Sequence, residues 1–584
     1  PDRPQDFDVF AGGASLHVVA ATFTAAGQIQ IGPDKTIDLS ACASGALGSA
    51  PDIRRPAVSW DAKTIAFAAR PTQADVLSIY TMNVDGTGCS KQPDIAAHDS
   101  TAGGLPEHDF DPAFSPPGAD GVERIVFAST RGNLDSSAFG YSGPQRTPAD
   151  PTKPNANLYV LEPAPGGGSM RVRQLTWQLN MERLPSFMSD GRLVFTVEKR
   201  EPGFYQLALR RQNLDGGDYH PLYAQRSSIG YSQATGVVEL ADKNFATIFS
   251  TQKAQHGGGA LAVFNRSIGI DFASTDPKDY PVDPSVLPPN GPSYPAQDFF
   301  LHSLHVVAAD GSYTSPAPLP NGRMLVSFGA GPPESFAGDY DVYSIDPATG
   351  DKVKLFGDSA TAEVDAVAIY ARAAKGTFVS TPDEPNGHTS VRPGDVSSDV
   401  TVLDVPVLAS LLFQNTPMRR VLERDLKSFD LYEDLPPDVA TFPSACGGFL
   451  SCDDFGQVYV RRRLLGSVPV QSDGSAHFRI PGGLPIVLHL AEDAESRMMK
   501  LPRWQREEMT FTPGEYAHQS FPSAFFNNLC AGCHGALSGR PVDAALRPDF
   551  LTQASSVIGA AIPPSDYSGP PNTRSSAIVG PMAP

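Results

Sequence analysis

The 584-residue sequence has no run of about 18 apolar residues, so no stretch of it could cross a bilayer as a helix. Its opening, PDRPQDFDVF, lacks the basic n-region and long apolar h-region of a secretory signal. If the protein is exported, its targeting segment has been removed from this sequence. Basic residues are in deficit, 45 against 64 acidic, for a net charge of −19. Such a surface repels phosphate backbones and anionic headgroups, which argues against nucleic acid and anionic lipid as partners. Cysteines are few, six in all, and they fall in pairs: Cys42 and Cys89, Cys446 and Cys452, Cys530 and Cys533. Two disulfides and one cofactor attachment would use all six and would need an oxidising, extracytoplasmic compartment, periplasmic or extracellular. Six unrelated thiols in a cytosolic chain is the plainer alternative.

Glycine and proline are plentiful, at 53 and 55 residues, and are spread along the chain, as many turns between short strands would require. With 41 % hydrophobic and 19 % charged residues the chain reads as folded, and its length implies two or three domains.

Residues 1–380 repeat a two-part pattern. First comes an apolar strand ending near a basic residue: PAVSWDAKTIAFAAR (56–70), PAFSPPGADGVERIVFASTR (112–131), PSFMSDGRLVFTVEKR (185–200). Looser copies begin at 236, 315 and 362. An alternating strand and a turn follow most copies, as in SIYTMNVDGTG (78–88) and YDVYSIDPATGD (340–351). Period-2 alternation around Asp-Gly and Pro-Gly turns signals hairpins, and units of four such strands read as propeller blades. Six first halves predict a six-bladed β-propeller with Pro-rich loop insertions near 132–156 and 270–300. TFTAAGQIQI near the N-terminus would supply a closing strand.

Beyond 380 the texture changes. Residues 381–435 read as a linker with connecting elements. A small antiparallel β domain is expected over 436–510, with Ser-Asp-Gly and Pro-Gly-Gly turns between alternating strands. A short helix, FPSAFFNNL (521–529), would open a haem-binding segment and extended tail over 511–584. The fold class is thus mainly β.

The chemistry lies in NNLCAGCHG (527–535). A Cys-x-x-Cys pair places two sulfurs along one porphyrin edge, and the histidine that follows meets the iron. Cys530 and Cys533 are the expected thioether links to one covalent haem c, and His534 the expected axial ligand. A thioredoxin-like pair would want a βαβ setting, and zinc would want a second Cys/His pair; neither is present in the surroundings. The opposite axial position is open between His518, Met509, Met498, Met499, Met582 and a vacant site. An ordinary hydrogen-bonded histidine remains an alternative reading of His518. GYSQA (230–234) lacks the βαβ context of a nucleophile elbow. DFDP (109–112) lacks calcium-loop spacing, and CGGFLSC (446–452) suits a small structural disulfide.

The order of these parts resembles the α-subunit family of hydrazine synthase, with its propeller-cytochrome relatives. The likeness is carried by PSFMSDGRLVFTVEKREPGFYQLALRRQNLDGGDYHPLY, ELADKNFATIFSTQKAQHGGGALAVFNRSIG and VPVQSDGSAHFRIPGGLPIVLHL ahead of LCAGCHG. Within it the repeats look like TolB-type propeller repeats. The resemblance implies that Cys530 and Cys533 link haem and that His534 is the histidine after them. Hydrazine-forming members carry a tyrosine iron ligand just downstream and a second haem domain further on. Here GALSGRPVD (535–543) contains no tyrosine, and the sequence stops before a second domain.

Three functions follow as expectations. The first is a mono-haem electron-transfer protein whose propeller faces dock redox partners or other subunits, rather than a stand-alone enzyme. The second is a haem enzyme acting on a small nitrogen or oxygen species. The third is a structural subunit of an extracellular assembly.

Overall fold

The structure is a computed structural model. It describes residues 4–25, 27–40, 42–43, 46–96, 105–132, 144–223, 233–264, 304–373, 375–380, 389–412, 427–437, 445–471, 474–490, 504–505, 508–519, 565–566 and 578–579. The described chain is mainly antiparallel β, with a single helix of eight residues, Val405–Leu412, and one short turn of helix, Pro93–Ala96.

The expected repeat appears as successive four-strand units. Asp52–Val58, Thr64–Arg70, Ser78–Asn83 and Ser90–Lys91 pair in chain order. Asp109–Phe114, Ile125–Ser129, Asn157–Pro163 and Met170–Gln174 do the same. From Glu182–Phe187 to Lys352–Phe356 the units merge into one eleven-stranded sheet. They join through a single parallel pair, Leu207 with Gln233, and through the long strand Leu304–Pro318. That strand pairs with Gly259–Phe264 at one end and Met324–Gly329 at the other. The second strand of each unit is buried along almost its whole length, as in Ile125–Ser129 and Phe245–Ser250. Such strands read as continuous apolar runs because both faces pack, and stacked aromatics such as Phe127–Tyr159 bridge neighbouring strands.

Each unit's first strand is broken at the same place. Ladder register shifts between Arg54 and Ala57, Phe110 and Ala113, Arg183 and Ser186, Thr235 and Val238, and Thr314 and Ala317. At each bulge one residue has positive φ: Arg55 (50°), Asp111 (51°), Leu184 (56°), Gly236 (67°) and Ser315 (52°). Asp365 (57°) is a sixth, in the extended stretch 363–373. Glycine adopts this conformation freely; at the other five positions it costs on the order of 1–2 kcal/mol each. The strain is offset by carboxylates that tie neighbouring units together. Asp111 accepts from Arg183 Nε (3.0 Å) and the Leu184 amide (3.3 Å), and Asp365 accepts from the Arg55 amide (3.3 Å) and the Ser315 hydroxyl (2.5 Å). Burial alone would raise Asp111, but Arg183 and Arg55 outweigh it and hold the carboxyl below its usual range.

The expected sixth sheet is not hydrogen-bonded as one. His17–Phe23 and Ile29–Thr36 form a two-stranded sheet of their own, and 363–373 forms no ladder among the described residues. Side chains hold that stretch instead: Asp365 as above, and Arg372 stacked 4.3 Å over Trp60. Part of the 132–156 insertion is a hairpin, Arg146–Thr147 with Asp150–Pro154, while 133–143 and the 270–300 insertion lie outside the described residues.

Past residue 389 two sheets face each other over one core that includes Val400, Phe478, Phe429 and Leu488. One is mixed, in the order Thr389–Val391, Glu515–Gln519, Ser397–Val402, Ala476–Pro481, Ser565–Asp566. The other is antiparallel: Ile486–Leu490, Ser428–Leu435, Arg461–Pro469, Ile578–Val579. The strands are thus drawn from both sides of 436–510. Disulfides join Cys42 to Cys89 and Cys446 to Cys452, the pairing expected from the sequence.

Candidate functional site

Cys530, Cys533, His534 and the helix expected at 521–529 lie outside the described residues, as do Met498, Met499 and Met582. Their tethers are described. The segment 520–564 leaves from Glu515–Gln519 and returns at Ser565–Asp566, and both strands belong to the mixed sheet. The chemistry-bearing segment therefore begins and ends on one sheet.

Glu515–Gln519 lies between Thr389–Val391 and Ser397–Val402, antiparallel to the first and parallel to the second. Ala517 faces the sandwich core, and alternation puts Tyr516 and His518 on the opposite face. Their rings meet edge to face at 5.2 Å, so an imidazole and a phenol, both capable iron donors, stand side by side. Thr401 pairs with His518 on one side and His477 on the other, setting the two histidines two strand spacings apart, roughly 10 Å. His477 Nε2 bonds Asp399, which also pairs with Arg479 Nη2 at 3.3 Å. Met509 packs against the core.

Glu515, at the start of the same strand, is buried and accepts from the Thr389 hydroxyl (2.7 Å) and the amides of Asp218 (3.0 Å) and Thr512 (2.9 Å). Burial outweighs these bonds and pushes its carboxyl up to about 7. The Asp218 contact ties the strand to the first part of the chain.

Sequence reasoning singled out His518 but not Tyr516, His477 or Asp399. Their common face follows from strand alternation and register, which become legible only once the pairing is known. It also missed a polar-aromatic cluster on the second sheet. The His489 ring lies 4.3 Å from Trp504, and its Nδ1 sits 3.5 Å from Asp430 Oδ2. Among the described residues His489 Nε2 and Trp504 Nε1 are buried without hydrogen-bond partners, which is uncommon in folded chains.

A second region is a cavity of about 540 Å³ where the five bulged strands and the extended stretch 363–373 converge, lined among others by Arg55, Asp111, Leu184, Gly236, Ser315 and Asp365. Its volume suits a small molecule. Its charges are matched within the ring, Arg183 with Asp111 and Arg55 with Asp365, so the bulges account for them structurally. Asp109 and Asp111 of DFDP, weighed above as calcium ligands, pair with Arg131 and Arg183 instead.

Residues 452–535 match the family model described as the hydrazine synthase alpha subunit middle domain. The match opens on the disulfide hairpin, takes in the His518 strand and closes immediately after His534. The hydrazine synthase subunit alpha of Kuenenia stuttgartiensis is 22 % identical over 554 residues, covering 83 % of this chain. The chain spans 60 % of that relative's length. The solved Kuenenia stuttgartiensis hydrazine synthase matches with a TM-score of 0.59 at 15 % identity, over 91 % of this chain and 67 % of the other. At that identity the likeness concerns the fold. Family model, curated relative and solved fold agree in supporting a hydrazine synthase α-like family for this chain.

Proposed function

We propose that the chain is an extracytoplasmic, haem-bearing subunit of hydrazine synthase α type that acts on a small nitrogen species within a complex. One observation carries this: the middle-domain match runs through the mixed sheet and ends on the Cys530–His534 motif. The donor set fits a c-type haem, with Cys530 and Cys533 as thioether links and His534 as an iron ligand. When bound, the haem supplies an iron that exchanges one electron and, with an open position, takes a small ligand. The chain's own residues provide the setting. The mixed sheet holds both ends of the motif segment, Asp399 orients His477, and Tyr516 and His518 offer further donors on the outer face. The two disulfides suit an oxidising compartment. The five bulged strands and the extended stretch 363–373 around one cavity support a six-bladed propeller whose faces dock other subunits of the complex.

Electron transfer is the second reading. It is favoured by the lack of tyrosine in 535–543 and by His518, whose strand runs directly into the motif segment. Optical spectra of the holoprotein with and without carbon monoxide separate the two. The enzyme reading expects a high-spin haem that binds carbon monoxide in the wild type and equally in His518→Ala. A low-spin wild type that ignores carbon monoxide, and binds it only in His518→Ala, would overturn that reading in favour of electron transfer.

A further inference from the structure

The bulged β units meet the sandwich at a buried joint, and its charges do not balance. From the sandwich, Glu508 reaches into the turn at 178–180. Its carboxylate accepts from the amides of Leu179 (2.8 Å) and Asn180 (3.4 Å) and from Asn180 Nδ2 (3.0 Å). In the other direction Glu201, at the tip of the hairpin Leu193–Glu201 with Phe204–Gln212, accepts from Arg462 Nη2 at 2.5 Å. Arg462 Nε donates to Asp434 at 2.8 Å. Glu201, Asp434 and Glu508 line one cavity of about 10 Å³, room for a single water. Tyr459 lines it too, 2 % exposed, with a hydroxyl that has no hydrogen-bond partner among the described residues.

Of the other cations packed on the joint, two are engaged by carboxylates of their own. Arg200 is committed to Asp453 through bonds of 2.9 and 2.7 Å, Arg463 is paired with Glu433, and Arg461 lies 5.7 Å from the Phe449 ring centre. Arg462 bonds Glu201 and Asp434, and Arg461 is the other cation left to the cluster, so among the described residues full ionisation of the three carboxyls would leave at least one negative charge uncompensated out of water. Buried like charges at this spacing are avoided by retaining protons.

We propose that the Glu201–Arg462–Asp434–Glu508 cluster is a proton-gated latch between the propeller-like part of the chain and the sandwich, closed while the carboxyls share protons and loosened when they are lost. Burial raises all three groups, Glu201 to about 7, Asp434 upward and Glu508 well above the usual range; the Asp434 charge adds to the rise of the two glutamates, while Arg462 and Glu508 act against it at Asp434. A carboxyl raised in the folded state adds stability that is complete below its unfolded value of 4.5. That contribution is lost as pH rises from there to the folded value, so Glu201's share of the latch weakens up to about pH 7, and Glu508, raised further, extends the loss to higher pH. This device goes beyond the proposed function and does not depend on haem, since the joint contains none of the motif's residues.

The test is hydrogen exchange of the full-length protein between pH 5 and 9, corrected for intrinsic rates, read on peptides covering 178–180. Their Leu179 and Asn180 amides are bonded to Glu508 itself. Opening should grow about tenfold per pH unit for each proton released, while peptides covering Val400 and Phe478 in the sandwich core keep their protection. Glu508→Gln should flatten the pH dependence. Its carbonyl replaces one carboxylate oxygen, and Asn180 Oδ1, now buried without a partner, can accept from the new amide. Should Glu508→Gln fail to fold, Glu201→Gln serves the same purpose. Protection at 178–180 that is flat in the wild type, or unchanged in its pH dependence in the folded variant, would overturn the latch.

Discussion

Arg462→Met is expected to destabilise the protein by about 3–5 kcal/mol near pH 8, the typical cost of removing one partner from a buried ion pair. Arg462 is 3 % exposed and holds Glu201 and Asp434 from opposite parts of the chain. Its guanidinium also lies 4.6 Å from the Trp504 ring centre, so cation–π contact is lost with the charge. Methionine restores apolar volume but leaves Glu201 and Asp434 without their bonded cation. They can relieve this by taking up protons, which is easier in acid. The deficit should therefore shrink as pH falls towards 5. Denaturant melts at pH 5 and pH 8 check both size and direction; an equal loss at the two pH values would mean that packing, and not charge, is what Arg462 contributes.

Replacing Cys530 and Cys533 together by alanine should abolish covalent haem and the visible spectrum with it. Each thioether is a covalent bond that no other residue in the segment can make, so the loss should be complete for the pair. The sandwich core, built from Val400, Phe478, Phe429 and Leu488, uses no residue of the motif and should still form. Far-ultraviolet circular dichroism should keep its β signature while the haemochrome assay reads zero. A double variant that retains covalently bound haem would remove these cysteines from the account.

How much of this was written in the sequence depends on range. The disulfide pairs were legible because each couples cysteines that are near in the chain. The strand repeat was legible because alternation and Asp-Gly turns are local. The bulges left only a faint trace: four of the six positive-φ residues precede a proline, Arg55, Asp111, Leu184 and Ser315, and those prolines set the phase in which the repeat was first recognised. Positive φ at an arginine or leucine has no residue signature, because it is imposed by the ring of neighbours. The sixth unit matched the pattern in sequence yet is held by Asp365 and Arg372 rather than by a ladder. Nothing local shows that Glu201 and Glu508, some 300 residues apart, line the same cavity. The outer face carrying Tyr516, His518 and His477 was equally hidden, since its members come from strands that meet only through long-range register.

The central claim is that one haem is covalently carried by the segment launched from the His518 strand. Mass spectrometry of proteolytic peptides from the mature, natively expressed protein tests it most directly. The account predicts a peptide spanning 527–535 that carries one haem through both Cys530 and Cys533. The same peptide found with free thiols, a disulfide or a bound metal other than haem iron would contradict it.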